Sequence, residues 1–201
     1  MSDYKLRHLI EGCLSQVLLE IAYSYPEELN VFDFDDTLVA TEGTIHLINL
    51  ETDERRELHP HEFHEYRLKP HEHFDLSDFE RLKNPVSLPH LQKMKSDYQR
   101  LGPHGVSVCT ARADAAPVME FMESQGMPGI EIVAVGDASP TGDVGAINPA
   151  RKKAYLKSKI LERGLRTLRF YDDNIGNVMA ARSLASVFPD VTIEVEHVNK
   201  P

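Results

Sequence analysis

The second half of the chain alternates between short apolar runs and longer amphipathic stretches, and this pattern limits the fold more than any other feature. Such alternation is typical of a parallel sheet with helices on both faces. The sequence therefore predicts an α/β fold, a Rossmann-like three-layer sandwich with a mostly parallel central sheet. The expected strands are 106–109, 130–135, 167–171 and 191–195, and the expected helices are 114–125, 149–162 and 175–186.

The first half of the chain supplies one more strand and an insertion. Residues 30–34 are short, apolar and aromatic, which predicts the first strand of the sheet. The runs 44–50 and 55–59 flank a polar turn and predict a β-hairpin outside the main sheet. With the irregular, histidine-rich residues that follow, this hairpin forms a predicted flap, or small cap, at 41–73. A short helix is expected to start at 75, and another to span 90–101.

The N-terminal residues carry one apolar stripe at helical spacing, and Pro26 ends it. The pattern predicts an extra helix within 1–29 that either packs on the core or binds a partner. Because no linker or repeat interrupts the sequence, one domain is expected, with its core in 30–40 and 74–201. The stripe consists of Leu6, Leu9, Ile10, Cys13, Leu14, Val17, Leu18 and Ile21.

Composition narrows the possible functions. The chain has 22 basic and 32 acidic residues, so a surface for non-specific binding to nucleic acid or to a membrane is not expected. Its 2 cysteines are far apart and match no metal spacing, which favours a reducing, cytoplasmic compartment. Glu11, Gln16 and Glu20 interrupt the apolar N-terminal residues, which argues against a secretory signal. No apolar run approaches the length of a membrane span.

Polar side chains follow three of the predicted strands. Asp33 and Asp35 end the first strand, Thr110 follows the strand 106–109, and Asp172 and Asp173 follow the strand 167–171. If these strands are neighbours, the four carboxylates meet at one sheet edge, where unit charges about 4 Å apart repel by roughly 4 kcal/mol. They must then take up protons or bind a cation, and oxygen ligands favour Mg²⁺. Alternatively, each is an ordinary loop or helix-capping residue.

These segments resemble the motifs of the haloacid dehalogenase (HAD) superfamily. DFDDTL at 33–38 is similar to the first motif, VSVCTAR at 106–112 to the second, and FYDDN at 170–174 to the fourth. The third motif is a lysine near a helix start, and both Lys152 and Lys153 qualify. The hairpin after the first motif and the run DDNIGNV also resemble small phage and bacterial phosphatases of this type.

The resemblance implies a role in phosphoryl transfer for each motif residue. Asp33 would be the nucleophile that becomes an aspartyl phosphate, and Asp35 would protonate the leaving oxygen and then activate water. Thr110 and the backbone N–H of Ala111 would bind phosphoryl oxygens, and the motif lysine would neutralise negative charge. The metal ligands would be Asp33, the backbone carbonyl of Asp35, Asp172 and Asp173.

Several assignments stay open. Lys152 is favoured as the catalytic lysine because the apolar residues of its helix follow it at helical spacing. Lys153 is then left as a substrate-binding residue. Either member of the acidic pair can be the direct metal ligand. Arg112 is either a substrate contact or part of a surface salt bridge. Asn177 either lies near the metal or faces solvent.

The histidines around the flap also have three interpretations. They form a solvated loop, a phosphate-binding or pH-responsive flap, or a second metal site that includes His61 and His64. The histidines concerned are His46, His59, His61, His64, His71 and His73.

The resemblance implies a Mg²⁺-dependent phosphohydrolase. Asp35 favours a phosphatase because the dehalogenases of the superfamily lack an acid at that position. The expected substrate is a small phosphorylated metabolite or nucleotide, although an open site under a small flap also suits a phosphatase of nucleic-acid ends. A binding or regulatory protein on a HAD scaffold, without catalysis, is the alternative from another class. The sequence does not indicate an oligomeric state.

Overall fold

The computed structural model describes residues 25–58, 66–136 and 144–199. The predicted N-terminal helix lies outside these residues, as do His59, His61 and His64. Within the described ranges, the strands are β1 (Glu28–Phe32), β2 (Val39–Ala40), β3 (Ile45–Asn49), β4 (Arg55–Leu58), β5 (Glu72–Asp75), β6 (Val86–Ser87), β7 (Val106–Thr110), β8 (Glu131–Ala134), β9 (Thr167–Asp172) and β10 (Thr192–His197). The α-helices of the same ranges are α1 (Pro89–Leu101), α2 (Ala116–Ser124), α3 (Val144–Arg163) and α4 (Ile175–Arg182).

Five of the strands form a parallel sheet in the order β10-β9-β1-β7-β8. β1 lies in the middle, where Asn30 pairs with Val106 of β7 and Arg169 of β9. The expected α/β fold with a mostly parallel central sheet is confirmed. Because the strands are parallel, the carboxyl ends of β9, β1 and β7 reach the same edge of the sheet.

Successive residues of the central strands point to opposite faces of the sheet, and each face has its own apolar cluster. Leu29 and Val31 of β1 pack in the cluster that contains residues of α3, whereas Phe32 belongs to the cluster that contains residues of α1 and α2. Helices therefore cover both faces of the sheet. Cys109 of β7 is fully buried in the cluster with α3, and its thiol is not in a disulfide.

The residues between β2 and β6 form an inserted segment, described over 41–58 and 66–85. Its strands form an antiparallel sheet in the order β4-β3-β5, and the predicted hairpin corresponds to β3 and β4. The two-stranded pairing of β2 with β6 closes the base of the segment. Four buried residues form its small core, which consists of Ile45, Leu47, Leu58 and Phe74.

The structure departs from the expected elements chiefly in the inserted segment and at the start of α3. β5 pairs with β3, although the sequence indicated an irregular tail there. The short helix expected from residue 75 is a 3₁₀ turn at Ser77–Glu80. Helix α3 begins at Val144 rather than at Pro149, so that the proline lies inside the helix and its missing N–H removes one backbone hydrogen bond. None of the helices in the described ranges has the length and apolar character that crossing a membrane requires.

Candidate active site

Strand β1 delivers Asp33 to the centre of the carboxyl edge of the sheet. The backbone N–H of Asp33 donates to the carbonyl oxygen of Tyr171 at 2.8 Å, which continues the pairing of β1 with β9 by one residue. β7 ends beside it in Thr110, and β9 ends in Asp172. The strand order therefore places the three predicted motif ends next to each other, as the sequence reasoning required.

Lys152 of α3 lies between two carboxylates of this edge. Its Nζ donates to Oδ1 of Asp33 at 2.5 Å and to Oδ2 of Asp172 at 2.8 Å, and all three side chains are buried. Burial alone would lower the pKa of Lys152, but the charges of Asp172 and Asp33 raise it above its usual value. The lysine is therefore a permanent cation at neutral pH. Lys153, the next residue, is only partly buried.

The electrostatics of Asp33 favour an added cation. Burial raises the pKa of Asp33 well above its usual value; the charge of Lys152 opposes this rise, and those of Asp172 and Asp173 add to it. One oxygen from each of the three aspartates lies within 4.8 Å of the others. When all three are ionised, their charges and that of Lys152 sum to −2, which one divalent cation balances. Clustered carboxylate oxygens are hard ligands that suit Mg²⁺.

Hydrogen bonds hold Asp172 on all sides. Nδ2 of Asn177 donates to both of its carboxylate oxygens, at 2.9 and 3.0 Å, and the backbone N–H of Asn174 donates to Oδ1 at 2.9 Å. Together with Lys152, these donors orient the carboxylate completely. Asp172 is therefore suited to hold Lys152 in place.

Asn177 is itself buried rather than facing solvent. It lies in the first turn of α4, whose N-cap is Asn174, with a side-chain oxygen that accepts from the N–H groups of Gly176 and Asn177. This cap fixes the start of the helix and therefore the position of the Asn177 amide. The interpretation in which Asn177 faces solvent is therefore wrong, and its amide binds Asp172 of the acidic pair.

Thr110 is the last residue of β7, and Ala111 begins the loop that follows. Thr110 is fully buried, and its hydroxyl oxygen accepts from the backbone N–H of Arg112 at 3.1 Å. The N–H of Gly136, just after β8, donates to the carbonyl oxygen of Arg112 at 2.9 Å. A Cβ at residue 136 would lie 1.9 Å from the carbonyl oxygen of Ala111, so glycine is required for this close approach.

Asp35 lies in the tight turn after β1 and is bound by Arg112. The arginine donates through Nε to Oδ2 at 2.8 Å and through Nη2 to Oδ1 at 2.7 Å. The turn is shaped by Asp36, whose φ of 59° lies in the left-handed region that aspartate tolerates better than most residues. Thr41 also donates to Oδ1 of Asp35, at 3.2 Å.

The buried ion pair of Arg112 with Asp35 replaces the surface salt bridge expected from the sequence, and two further contacts of these residues were not predicted either. Nη1 of Arg112 donates to the backbone carbonyl of Phe79 at 2.8 Å, and Thr41 reaches Asp35 from the start of the inserted segment. A backbone acceptor carries no residue-type signal, and Thr41 lies outside the motif pattern. Gly136 was also missed, although an isolated glycine next to a predicted strand is a signal of close backbone approach.

One edge of the parallel sheet therefore holds the buried ammonium group of Lys152, the clustered carboxylates, and Thr110 with the loop that follows it. Such a set can bind a divalent cation and an anionic group together, because fixed positive charge and oriented N–H donors stabilise anions. Comparison of the chain with protein-family models, with curated proteins and with solved structures gave no match. The chemistry of the site therefore rests on its own geometry.

Proposed function

We propose that this chain is a Mg²⁺-dependent phosphohydrolase of the HAD type, which cleaves phosphate monoesters through an aspartyl-phosphate intermediate. The observation that carries the proposal is Lys152, buried between Asp33 and Asp172 at the carboxyl end of the central strands. An insertion directly after the first strand and helices on both faces of the sheet agree with the motif resemblance. The buried free thiol of Cys109 is compatible with a reducing, intracellular compartment.

The proposed reaction has two displacements at phosphorus. In the first, a carboxylate oxygen of Asp33 attacks phosphorus, the bond from phosphorus to the ester oxygen breaks, and Asp35 donates a proton to that oxygen. In the second, Asp35 takes a proton from a water molecule whose oxygen attacks phosphorus, and Asp33 and inorganic phosphate are released. Lys152, the hydroxyl of Thr110 and the N–H of Ala111 offset the negative charge of the phosphoryl oxygens.

The residues present fit Mg²⁺ as the cofactor. Asp33, the backbone carbonyl of Asp35 and one or both of Asp172 and Asp173 would hold the ion, and Asp172 also binds Lys152. When bound, Mg²⁺ neutralises charge on the phosphoryl group and aligns it with the nucleophile. The excess of two negative charges among the three clustered aspartates and Lys152 supports a divalent ion over a monovalent one.

Hydrolysis of 4-nitrophenyl phosphate tests the reaction. Activity is expected in Mg²⁺ and is expected to disappear when the ion is removed with EDTA and to return when it is restored. Asp33→Asn removes the nucleophile and is expected to lower kcat at least about a thousandfold. Asp190→Asn, a change at an exposed aspartate away from the site, is the matched control. Activity that survives Asp33→Asn, or that needs no divalent ion, contradicts the mechanism.

The proposed substrate is a small phosphorylated metabolite or a nucleotide. The formal charge of −10 supports this class over nucleic-acid ends, because long polyanions favour basic surfaces. A panel of sugar phosphates, mononucleotides and oligonucleotides with 3′- or 5′-phosphate, compared by kcat/KM, tests the choice. Higher kcat/KM for the oligonucleotides than for the mononucleotides overturns it.

A further inference from the structure

The contact between Arg112 and Asp35 is a two-pronged ion pair with unequal exposure. Both carboxylate oxygens of Asp35 accept from the guanidinium, which is the geometry that fixes a carboxylate most completely. The side chain of Arg112 is 3% exposed, whereas that of Asp35 is 31% exposed. The guanidinium is therefore closed off from solvent, whereas the carboxylate that it binds is partly open to solvent.

The surroundings of Arg112 hold the guanidinium in one orientation. Its Cζ lies 5.5 Å from the ring centre of Phe34 and 5.2 Å from that of Phe79, and Nη1 binds the carbonyl oxygen of Phe79. Two aromatic contacts and a backbone acceptor leave the arginine little rotational freedom. Phe34 belongs to the turn that carries Asp35, and Phe79 belongs to the 3₁₀ turn of the inserted segment.

We infer that Arg112 is a positioning residue, which fixes the orientation of Asp35 and connects it to the inserted segment through Phe79. In its catalytic part this inference rests on the proposed function, because Asp35 is there the proton donor. A proton donor acts only when its oxygen reaches the leaving group, so an unfixed Asp35 loses efficiency. Substrate contact would require the buried guanidinium to leave Asp35, Phe79 and two aromatic rings.

Leaving-group dependence tests the positioning role. 4-Nitrophenolate leaves without a proton, whereas the benzyl alcohol oxygen of benzyl phosphate needs one. Arg112→Met is therefore expected to lower kcat/KM about a hundredfold for benzyl phosphate and less than about tenfold for 4-nitrophenyl phosphate. Arg112→Lys is expected to recover part of the loss. Arg166→Met, which removes an exposed arginine paired with Glu27, is the matched control.

A double-mutant cycle separates positioning from substrate binding. If Arg112 acts through Asp35, then Arg112→Met lowers kcat/KM for benzyl phosphate less than about twofold further in an Asp35→Asn background. Equal losses in the wild-type and Asp35→Asn backgrounds, with a raised KM for both substrates, identify a direct substrate contact and overturn the inference. Thermal melting of each variant shows whether it is folded.

Hydrogen exchange tests the connection without using activity. Arg112→Met is expected to accelerate exchange in peptides that cover 33–41 and 76–88, and to leave peptides of β9 and β10 unchanged. If 4-nitrophenyl phosphate is not hydrolysed by the wild-type chain, the proposed function fails, but this measurement still decides whether Arg112 ties the two segments together. Unchanged exchange in both peptides overturns the inference.

Discussion

The pKa values of aspartates shift in opposite directions in the central sheet and in the inserted segment. In the central sheet, burial raises the pKa of Asp33. In the inserted segment, hydrogen bonds from Ser77 lower the pKa of Asp75, and hydrogen bonds from Lys83 and from the N–H of Thr44 lower that of Asp78. The burial of the carboxylate and its supply of hydrogen-bond donors together decide whether its pKa rises or falls. A carboxylate that loses water without enough donors is destabilised as an anion, whereas one near the surface keeps its water and gains donors.

Buried and surface carboxylates therefore differ in what they can do: the first can bind a cation, and the second stabilise the local structure. A buried, electrostatically unfavourable carboxylate becomes more stable when a cation arrives, so it can bind a ligand. A surface carboxylate that is already satisfied by its neighbours stabilises its own turn and gains little from a ligand. The carboxyl edge of the central sheet is therefore the part better suited to bind a cation, and the inserted segment contacts it through Thr41 and Phe79.

Removal of the buried positive charge of Lys152 should have the largest effect on stability. Lys152→Met leaves Asp33 and Asp172 buried without their shared partner, and breaking such a contact typically costs about 3–5 kcal/mol. The variant is expected to unfold at lower urea concentration by about that free energy at pH 7, to recover part of it in Mg²⁺, and to lose at least about a hundredfold in kcat. Lys157→Met, at an exposed position of α3, is the control. If Lys152→Met and the wild type are equally stable, Lys152 is not the partner on which the buried Asp33 and Asp172 depend.

A second change disturbs the loop after β7 without touching a charge. Gly136→Ala places a methyl group against the carbonyl oxygen of Ala111, so the backbone of Ala111 and Arg112 must move. The variant is expected to lose about 1–3 kcal/mol of stability and about a hundredfold in kcat/KM for phosphate monoesters. Gly126→Ala is the control, because its positive φ causes strain where no other atom is close. The comparison fails if both variants lose activity equally.

The smallest effect is expected in the inserted segment. Asp78→Asn should lower the free energy of unfolding by no more than about 1 kcal/mol at pH 7, because the ion pair with Lys83 is partly exposed. Since the folded pKa of Asp78 is lowered, its contribution is complete above its ordinary pKa near 3.9 and disappears as the pH falls through the folded value. Urea unfolding over a series of pH values from 7 downward should therefore reveal a difference from wild type that shrinks once the pH falls below the ordinary pKa. A difference that stays constant over this series contradicts the assignment.

Much of the central sheet was predictable because buried parallel strands leave strong local signals. Continuous apolar runs and helical periodicity indicated β7, β8, β9 and β10, and the apolar side of α3 favoured Lys152 over Lys153. The carboxyl-end rule then brought Asp33, Thr110 and Asp172 to one edge without any knowledge of tertiary contacts. The functional roles of these residues stay predictions.

The inserted segment was less predictable because its structure depends on contacts between distant residues. β5 has a single buried residue, Phe74, and becomes a strand by pairing with β3. β2 and β6 are two residues each, too short for any periodic signal. The bond from Arg112 to the carbonyl of Phe79 involves an acceptor that every residue possesses, so sequence alone gives no reason to choose it.

Cys109 lies in β7, beside the central strand β1, and its buried thiol can report how often the central sheet opens. Burial raises the pKa of this thiol to about 12, so very little of the reactive thiolate is present at pH 8. A thiol reagent therefore reacts with Cys109 only when the sheet opens, so the rate of alkylation measures how often the sheet opens. Because the same strand ends in Thr110, slower alkylation in the presence of Mg²⁺ and phosphate would report ligand binding from inside the core.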